Sequence, residues 1–323
     1  MKEGLTRMHS IVTGAFGFLG AALCRELLDQ GGHVTAVVRP DSPNRAKVME
    51  LSQERDGCER RCDVLEVGLD RLDDLWKVHC IHADVFYHLA WNGSAGSDRE
   101  DFDIQHTNIG YTAQAVRAAK ACGCRKIVGA GSQAEYGVIH RKAVESETVP
   151  YPFMMYGAAK LAAYQMGRVL ADQLGISFVW PRIYSVYGVG ENPGTLVNYV
   201  MDSLRAGKMP ELTPCENMWN FMYVSDCAKA LRMLGESGES EGIYHVASKD
   251  TRRLREFVEE IRDIAAPGAE IGFGKKEAQA ERTFWLEPDV GRLDETGFAC
   301  EVSFEDGIRR KEGWGRSCGF PRS

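Results

Sequence analysis

Near the amino terminus a short apolar run, Ser10 to Val12, leads into Thr13-Gly14-Ala15-Phe16-Gly17-Phe18-Leu19-Gly20. A helix-spaced series follows at Leu19, Leu23, Leu27 and Leu28. This strand, glycine loop and helix constrain the chain more than any other feature. Glycines at these places permit a tight turn, let backbone approach a ligand and allow the helix to pack closely on a sheet. The helix N-terminus behind them presents unpaired N–H groups, which suits a phosphate. Three glycines alone would mark only a turn. Between a strand and a helix, at the head of an alternating chain, they predict a dinucleotide pyrophosphate site.

The alternation continues. Val34 to Val38, Arg60 to Val64 more weakly, Val85 to Ala90, Lys126 to Gly129 and Ile176 to Trp180 read as strands separated by helix-spaced segments. Six strands of this kind predict an α/β fold with a doubly wound parallel Rossmann sheet. Beyond Pro181 the pattern breaks into a Gly- and Pro-rich stretch, with Ile243 to Val246 as one returning strand. The expected division is an NAD(P)-binding Rossmann domain over residues 1–182, with a returning segment near 220–247, and a smaller, partly discontinuous C-terminal domain, mainly substrate-binding, over 183–323. The tail from Gly313 to Ser323 is rich in Gly, Arg and Ser and is expected to be poorly ordered.

Composition narrows the function classes. A chain of 323 residues with 44% hydrophobic and 26% charged residues is that of a globular protein, and its net charge of −7 opposes a nucleic-acid partner. Met1 to His9 has no apolar core and no run of about 18 apolar residues occurs, so a cytoplasmic protein with no membrane partner is expected. The ten cysteines are scattered and read as free thiols. Cys58/Cys62 and Cys122/Cys124 lack zinc-ligand spacing, and His79-Cys80-Ile81-His82 has no second ligand pair nearby, so no metal site is expected.

Cofactor choice turns on the end of the second strand. An acidic residue there binds the ribose hydroxyls of NAD, but this chain carries Arg39, whose guanidinium suits the 2′-phosphate of NADP, with Arg45 in reach. NADP(H) is favoured. NAD(H) stays open because Asp41 would reach the ribose if the strand ended later. Asp63 and Val64 are expected to close the third strand, the acid accepting from the adenine amino group and the valine packing on the ring.

Tyr156 and Lys160 open a helix four residues apart, on one face. A neighbouring ammonium favours phenolate and should bring a tyrosine from about 10 towards neutrality, fitting it to exchange a proton with a carbonyl or carbinol. Ser132 follows the fifth strand, at the sheet edge where open α/β folds bind ligands, and is placed to hydrogen-bond a substrate oxygen. The plainer alternatives are a surface contact for the pair and a turn or cap for the serine.

Together these segments resemble the extended short-chain dehydrogenase/reductases of the NAD-dependent epimerase/dehydratase family, which act mostly on nucleotide sugars. The likeness covers nearly the whole chain. It rests on the glycine loop, His88-Leu89-Ala90, Asn108, the segment from Gly129 to Gly137, Tyr156 with Lys160, Pro181 to Gly188 and Asn220 to Asp226. The resemblance implies that Tyr156 exchanges the proton, Lys160 binds the nicotinamide ribose and tunes the tyrosine, and Ser132 orients the substrate oxygen. It implies cofactor contacts along Gly14, Phe16, Gly17, Phe18, Leu19 and Gly20, at Leu89 and Ala90, and at Ile183. Substrate contacts are expected at Trp91, Gln133, Ser185, Leu196, Val197, Asn198 and Trp219, with Arg282 for a diphosphate. A homodimer is expected by analogy.

Within that family, dehydratases carry Asp-Glu directly after the serine-equivalent residue, because expelling water needs an acid and a base beyond the tyrosine. Here those positions are Gln133 and Ala134, which disfavours dehydration. Glu135 reads either as an extra acid or as a structural hydrogen-bond partner. Arg39 favours NADPH-dependent reduction over epimerisation. Trp91 to Ser94 and Ser185 to Gly188 resemble the subgroup that reduces nucleotide-linked 4-keto-6-deoxy sugars, such as CDP-abequose and CDP-paratose synthases. One departure is Trp219-Asn220 where many relatives have Arg-Asp, so a common diphosphate clamp is missing. An NAD-dependent nucleotide-sugar 4-epimerase is the alternative. A dihydroflavonol-type ketoreductase and a non-catalytic dinucleotide-binding protein are more remote.

Overall fold

A computed structural model of the protein describes residues 7–40, 61–277 and 285–317, with side chains up to Gly313. Asp41, Arg45, Cys58 and Arg282 lie outside the described residues. The strands are β1 His9–Thr13, β2 His33–Val38, β3 Arg61–Glu66, β4 Val85–His88, β5 Lys126–Gly129, β6 Gly131–Ser132, β7 Ser177–Ile183, β8 Ser185–Tyr187, β9 Glu211–Leu212, β10 Met218–Tyr223, β11 Gly242–Val246, β12 Thr251–Arg253 and β13 Gly272–Phe273. The chain forms two compact units. The first runs through Glu135 and adds Pro150–Arg182 and Ala228–Tyr244, and the second comprises Tyr136–Val149, Ile183–Cys227 and the chain from His245 onward. Tyr136–Val149, placed in the cofactor domain by the sequence reading, thus groups with the second unit.

In the first unit the main sheet has the strand order β11-β7-β5-β4-β1-β2-β3, with β6 beside β7. Neighbours from β3 to β7 are parallel, with Ser10 of β1 opposite both Val34 and Val85. This is the Rossmann-like α/β arrangement. Its central strands are buried along nearly their whole length, which is why they read as unbroken apolar runs. Ile11, Val37, Phe86, Ile127, Phe178 and Trp180 belong to one core cluster. The edge strand β3 differs: it is largely exposed and runs on to Glu66, so Asp63 lies in mid-strand rather than at its close.

Small residues decide how the helices meet this sheet. The helix Met155–Leu174 buries Gly157, Ala159, Ala163, Gly167 and Ala171, and a Cβ on Gly167 would meet the Phe178 ring at 3.0 Å. It stops at Gly175, whose φ of 61° supplies the left-handed cap.

The second unit contains a three-stranded sheet, β12-β10-β8, and the pair β13-β9. Tyr187, Phe221, Phe257 and Phe304 pack against one another with ring centres 4.7 to 5.7 Å apart. Two buried polar nodes tie its loops. Lys311 Nζ donates to Gly188 O, Glu191 Oε2 and Asn198 Oδ1, each at 2.8 Å. The Asp226 carboxylate accepts from the backbone N–H groups of Glu301 and Val302 at 3.0 and 3.1 Å. The tail, expected to be poorly ordered from Gly313, is helical through Ser317, because the helix Phe304–Ser317 carries it. Among the described residues no helix is long and apolar enough to cross a membrane.

Candidate active site

The glycine loop is shaped as its sequence demands. Gly14 has a φ of +71°, and a Cβ there would strike Ala90 N at 2.8 Å, so the loop lies directly against the end of β4. A Cβ on Gly20 would fall 2.1 Å from Gly14 O, inside the turn itself. Gly17 is the exposed N-cap of the helix Phe18–Asp29, which has no side-chain cap and no acidic residue in its first turn. Its positive end is therefore uncompensated and fits a pyrophosphate. Phe16 is buried, while Phe18 and Leu19 are half-buried at the helix start.

Arg39 follows β2 and is exposed. The Asp63 carboxylate pairs with His33 Nε2 at 2.7 Å, and Val64 is exposed on the edge strand. The strand thus ends two residues beyond the expected acid–valine pair, and the acid already has a partner. Leu89 and Ala90 follow β4 half-buried. Before them His88 is fully buried, with Nδ1 2.9 Å from Thr13 Oγ1 and no partner for Nε2 among the described residues. Burial and the nearby Lys160 push it down to about 3, so this imidazole is neutral.

The catalytic candidates of the first unit come together. Tyr156 sits in the first turn of the helix Met155–Leu174 and faces the Ser132 hydroxyl. That helix start rides over the serine loop, since a Cβ on Gly157 would meet Ala134 O at 2.4 Å. Lys160, one turn on, is buried. Its Nζ donates to Ala130 O at 2.6 Å, lies 3.5 Å above the Trp91 ring centre and 5.5 Å from the Tyr156 ring centre. Trp91 is fixed in turn, its Nε1–H donating to Gln105 Oε1 at 2.9 Å, while Asn108 clamps the backbone of Asn92 from both sides. Ser132 Oγ also accepts from Ala134 N at 3.2 Å, and Gln133 beside it is half-buried.

Glu135 proves to be the loop's anchor. It is fully buried, accepting from Ser132 N at 2.9 Å, Trp180 Nε1 at 2.8 Å and Arg182 Nε at 2.8 Å. Every approach is explained by its neighbours: Gly129 and Gly131 have no side chains because the Trp180 ring occupies that space, within 2.3 and 2.5 Å of where a Cβ would be. With both oxygens engaged Glu135 holds the serine loop and is not a spare acid.

The electrostatics differ from the sequence expectation in one respect. Burial holds Tyr156 above the ordinary tyrosine value; Arg99 and the Ser132 hydroxyl pull it back, and Glu135 opposes them. Burial also drives Lys160 down to about 7, against Glu135 and helped by Arg99. Arg99 was not legible as a site residue. It stands in the short 3-10 turn Gly96–Glu100 with its Cζ 4.4 Å from the Tyr156 ring centre, outside any glycine, serine or Tyr-Lys pattern.

The remaining candidates belong to the second unit. Ile183 and Ser185 are half-buried at the end of β7 and the start of β8, and Leu196 is half-buried at the start of the helix Leu196–Arg205. Val197 is a core residue, 1% exposed, so its side chain is not available to a ligand. The Asn198 amide is occupied at both ends, by Lys311 and by Asn192 O at 3.0 Å. Trp219 packs with Tyr184, Ala247, Leu286 and Val290, and its buried Nε1–H has no partner among the described residues. Asn220 is a buried brace, donating to Ser248 O, Asp250 O and Thr251 Oγ1 and accepting from Ser248 N.

A Rossmann sheet with a phosphate-shaped glycine loop and a Ser-Tyr-Lys cluster at the ends of its strands defines a short-chain dehydrogenase/reductase of the extended type. Residues 10–247 match the model of the NAD dependent epimerase/dehydratase family, and the chain belongs to that family. It is 25% identical over 291 residues, 87% of this chain and 89% of the relative, to the "Uncharacterized UDP-glucose epimerase YtcB" of Bacillus subtilis. It is 21% identical over 264 residues, 79% of this chain and 85% of the relative, to the CDP-abequose synthase of Yersinia pseudotuberculosis. Its fold is similar to that of the UDP-glucuronic acid 4-epimerase from Bacillus cereus, solved with UDP-glucuronic acid and NAD, with a TM-score of 0.80 at 21% identity over 97% of this chain and all of that one.

Proposed function

We propose that the protein is an NADP(H)-dependent oxidoreductase that reduces the 4-keto group of a nucleotide-linked 4-keto-6-deoxy sugar. The nicotinamide cofactor supplies the hydride when bound, and the glycine loop, Arg39, Leu89, Ala90 and Lys160 are the residues that would hold it. Tyr156 donates its phenolic proton to the substrate oxygen, so carbonyl, hydride and proton balance to an alcohol. Ser132 shares the hydrogen bond to that oxygen, and Lys160, near 7, restores the proton at neutral pH. Glu135, by fixing Ser132 N, keeps the serine in place. The observation that favours reduction is Arg39, exposed directly after β2, where a guanidinium suits a 2′-phosphate and an acid would suit NAD. The nucleotide half of the substrate falls to Ser185, Leu196, Asn198, Trp219 and Arg282, with the Asn198 amide also bound by Lys311 and the Val197 side chain buried in the core.

The similarity to NAD-bound 4-epimerases favours a second reading, an NAD-dependent nucleotide-sugar 4-epimerase using the same three residues. Purified protein offered NADPH, NADH and a panel of nucleotide-linked 4-keto-6-deoxy sugars separates the two. Consumption of NADPH with formation of the 4-hydroxy sugar supports reduction. Interconversion of 4-epimers with tightly held NAD and no added reductant overturns it in favour of epimerisation. We further propose a cytoplasmic homodimer. Phe102, Met155, Met166 and Val169 are exposed at 61, 44, 59 and 45%, and the latter three share one helix face that a second copy would cover. Light scattering after size exclusion tests it: a mass of one chain overturns the dimer.

A further inference from the structure

The reaction centre holds a cation, Arg99, with no ion pair among the described residues. Arg99 lies with its Cζ 4.4 Å from the centre of the Tyr156 ring, one Nη donates to Met154 Sδ at 3.4 Å, and its buried Nε–H has no partner among the described residues. A thioether is a weak acceptor, so this half-buried guanidinium keeps a buried Nε–H with no acceptor and no carboxylate beside it among the described residues. The contrast with Arg182, which is buried and paired to Glu135 at 2.8 Å, is sharp.

Lys160 is poorly suited to be the standing positive charge here. It is buried on the Trp91 face, its Nζ is directed to Ala130 O, and burial lowers it to about 7, which favours its neutral form. A guanidinium stays charged throughout. We propose that Arg99 is a positioning residue of the reaction centre, clamping the Tyr156 ring by stacking and supplying the permanent positive charge that a phenolate at that position needs. The anion that Arg99 lacks is then the phenolate that forms each time Tyr156 gives up its proton. The other groups facing Tyr156 are the Ser132 hydroxyl, the paired Glu135 and Lys160. His88 is the neutral group beside Lys160, and Glu100, next to Arg99, accepts from Met155 N at 3.3 Å. Of these only Arg99 is a cation whose charge does not change with pH.

The inference rests on Tyr156 being the proton-exchanging group, and its test does not depend on knowing the sugar. Protein labelled with 13C at tyrosine Cζ and saturated with NADP+ is titrated over the range in which circular dichroism shows it folded, with Tyr156→Phe identifying the signal. The expected result is that in Arg99→Gln ionisation of Tyr156 moves up by about one pH unit or more, or is absent at a pH where the wild type has ionised. Arg99→Lys, which keeps the charge and loses the planar stack, should fall between them. Coincident curves for wild type and Arg99→Gln, including a signal neutral throughout in both, overturn the proposal. With any turned-over substrate, kcat near neutral pH should drop about tenfold or more in Arg99→Gln while KM holds within about twofold. A raised KM with kcat intact would instead make Arg99 a substrate-binding group and overturn its role on the tyrosine. If the protein binds no nicotinamide cofactor the reading of function fails, and the same titration without cofactor still decides for or against Arg99.

Discussion

Lys126 and Lys160 are both buried in the first unit at 2% exposure, and burial pushes both down, to about 8 and about 7. Their surroundings differ. Lys126 Nζ donates to three carbonyls, Leu234 O at 3.2 Å, Ser237 O and Ser240 O at 2.8 Å, which includes the carbonyl end of the helix Val224–Glu236. All three of its protons are engaged. Lys160 donates to a single carbonyl and otherwise faces the Trp91 and Tyr156 rings. Equal burial therefore marks a brace in one case and, in the proposed reaction, a chemical group in the other, and the distinguishing quantity is how many donors the protein leaves for something else.

Removing each ammonium is the strongest way to break that contrast. Lys160→Met should lower kcat by roughly 10² to 10⁴, the scale of losing a positioned proton-transfer group, with a modest change in unfolding midpoint. Lys126→Met should do the reverse: turnover per folded molecule unchanged, thermal midpoint lowered. Steady-state rates and melting curves on the two proteins are sufficient, and a catalytic loss in Lys126→Met would erase the distinction.

Glu135 sharpens it from the acidic side, as a carboxylate beside the proposed reaction centre with every oxygen committed. Glu135→Ala removes the carboxylate paired with buried Arg182, 1% exposed, and should cost about 3–5 kcal/mol in urea unfolding. Replacing both, Glu135→Gln with Arg182→Met, should recover much of that loss, because the cost lies in the unpaired charge. A Glu135→Ala protein as stable as the wild type would show the carboxylate to be free after all, and would revive its reading as an acid.

How much of this was visible in the sequence follows from the range of each contact. Gly14, Gly17 and Gly20 act within one turn, and Tyr156 and Lys160 within one helix turn, so spacing alone carried them. The family motifs carried Ser132 and Asn108. Arg99 reaches Tyr156 across 57 positions and Glu135 reaches Arg182 across 47, and no periodicity encodes such distances. Asp63 was placed at the end of β3 because an exposed edge strand has no apolar run to mark where it stops. Asn198 shows the same limit: that Lys311 occupies its amide depends on a contact 113 residues away.

The smallest expected effect is the pH dependence that Lys126 imposes on stability, and its sign is opposite to that of an exposed ion pair. The unfolded chain holds this lysine near its ordinary value of 10.5, the folded protein near 8. Between those values the unfolded state binds more protons, so stability contributed at this site rises with pH across that window and is lowest below it. Melting wild type and Lys126→Met in parallel from pH 7 to pH 10 isolates the group, since other titrations are common to both. The gap between the two midpoints should widen in favour of the wild type as pH rises through about 8. A gap that stays flat would mean that the three carbonyls compensate fully for burial of the ammonium, and one that narrows would mean that they hold its charged form more tightly than water does. Either outcome would place Lys126 closer to a simple ion-dipole brace and leave Lys160 as the one of the two whose protonation the fold makes labile.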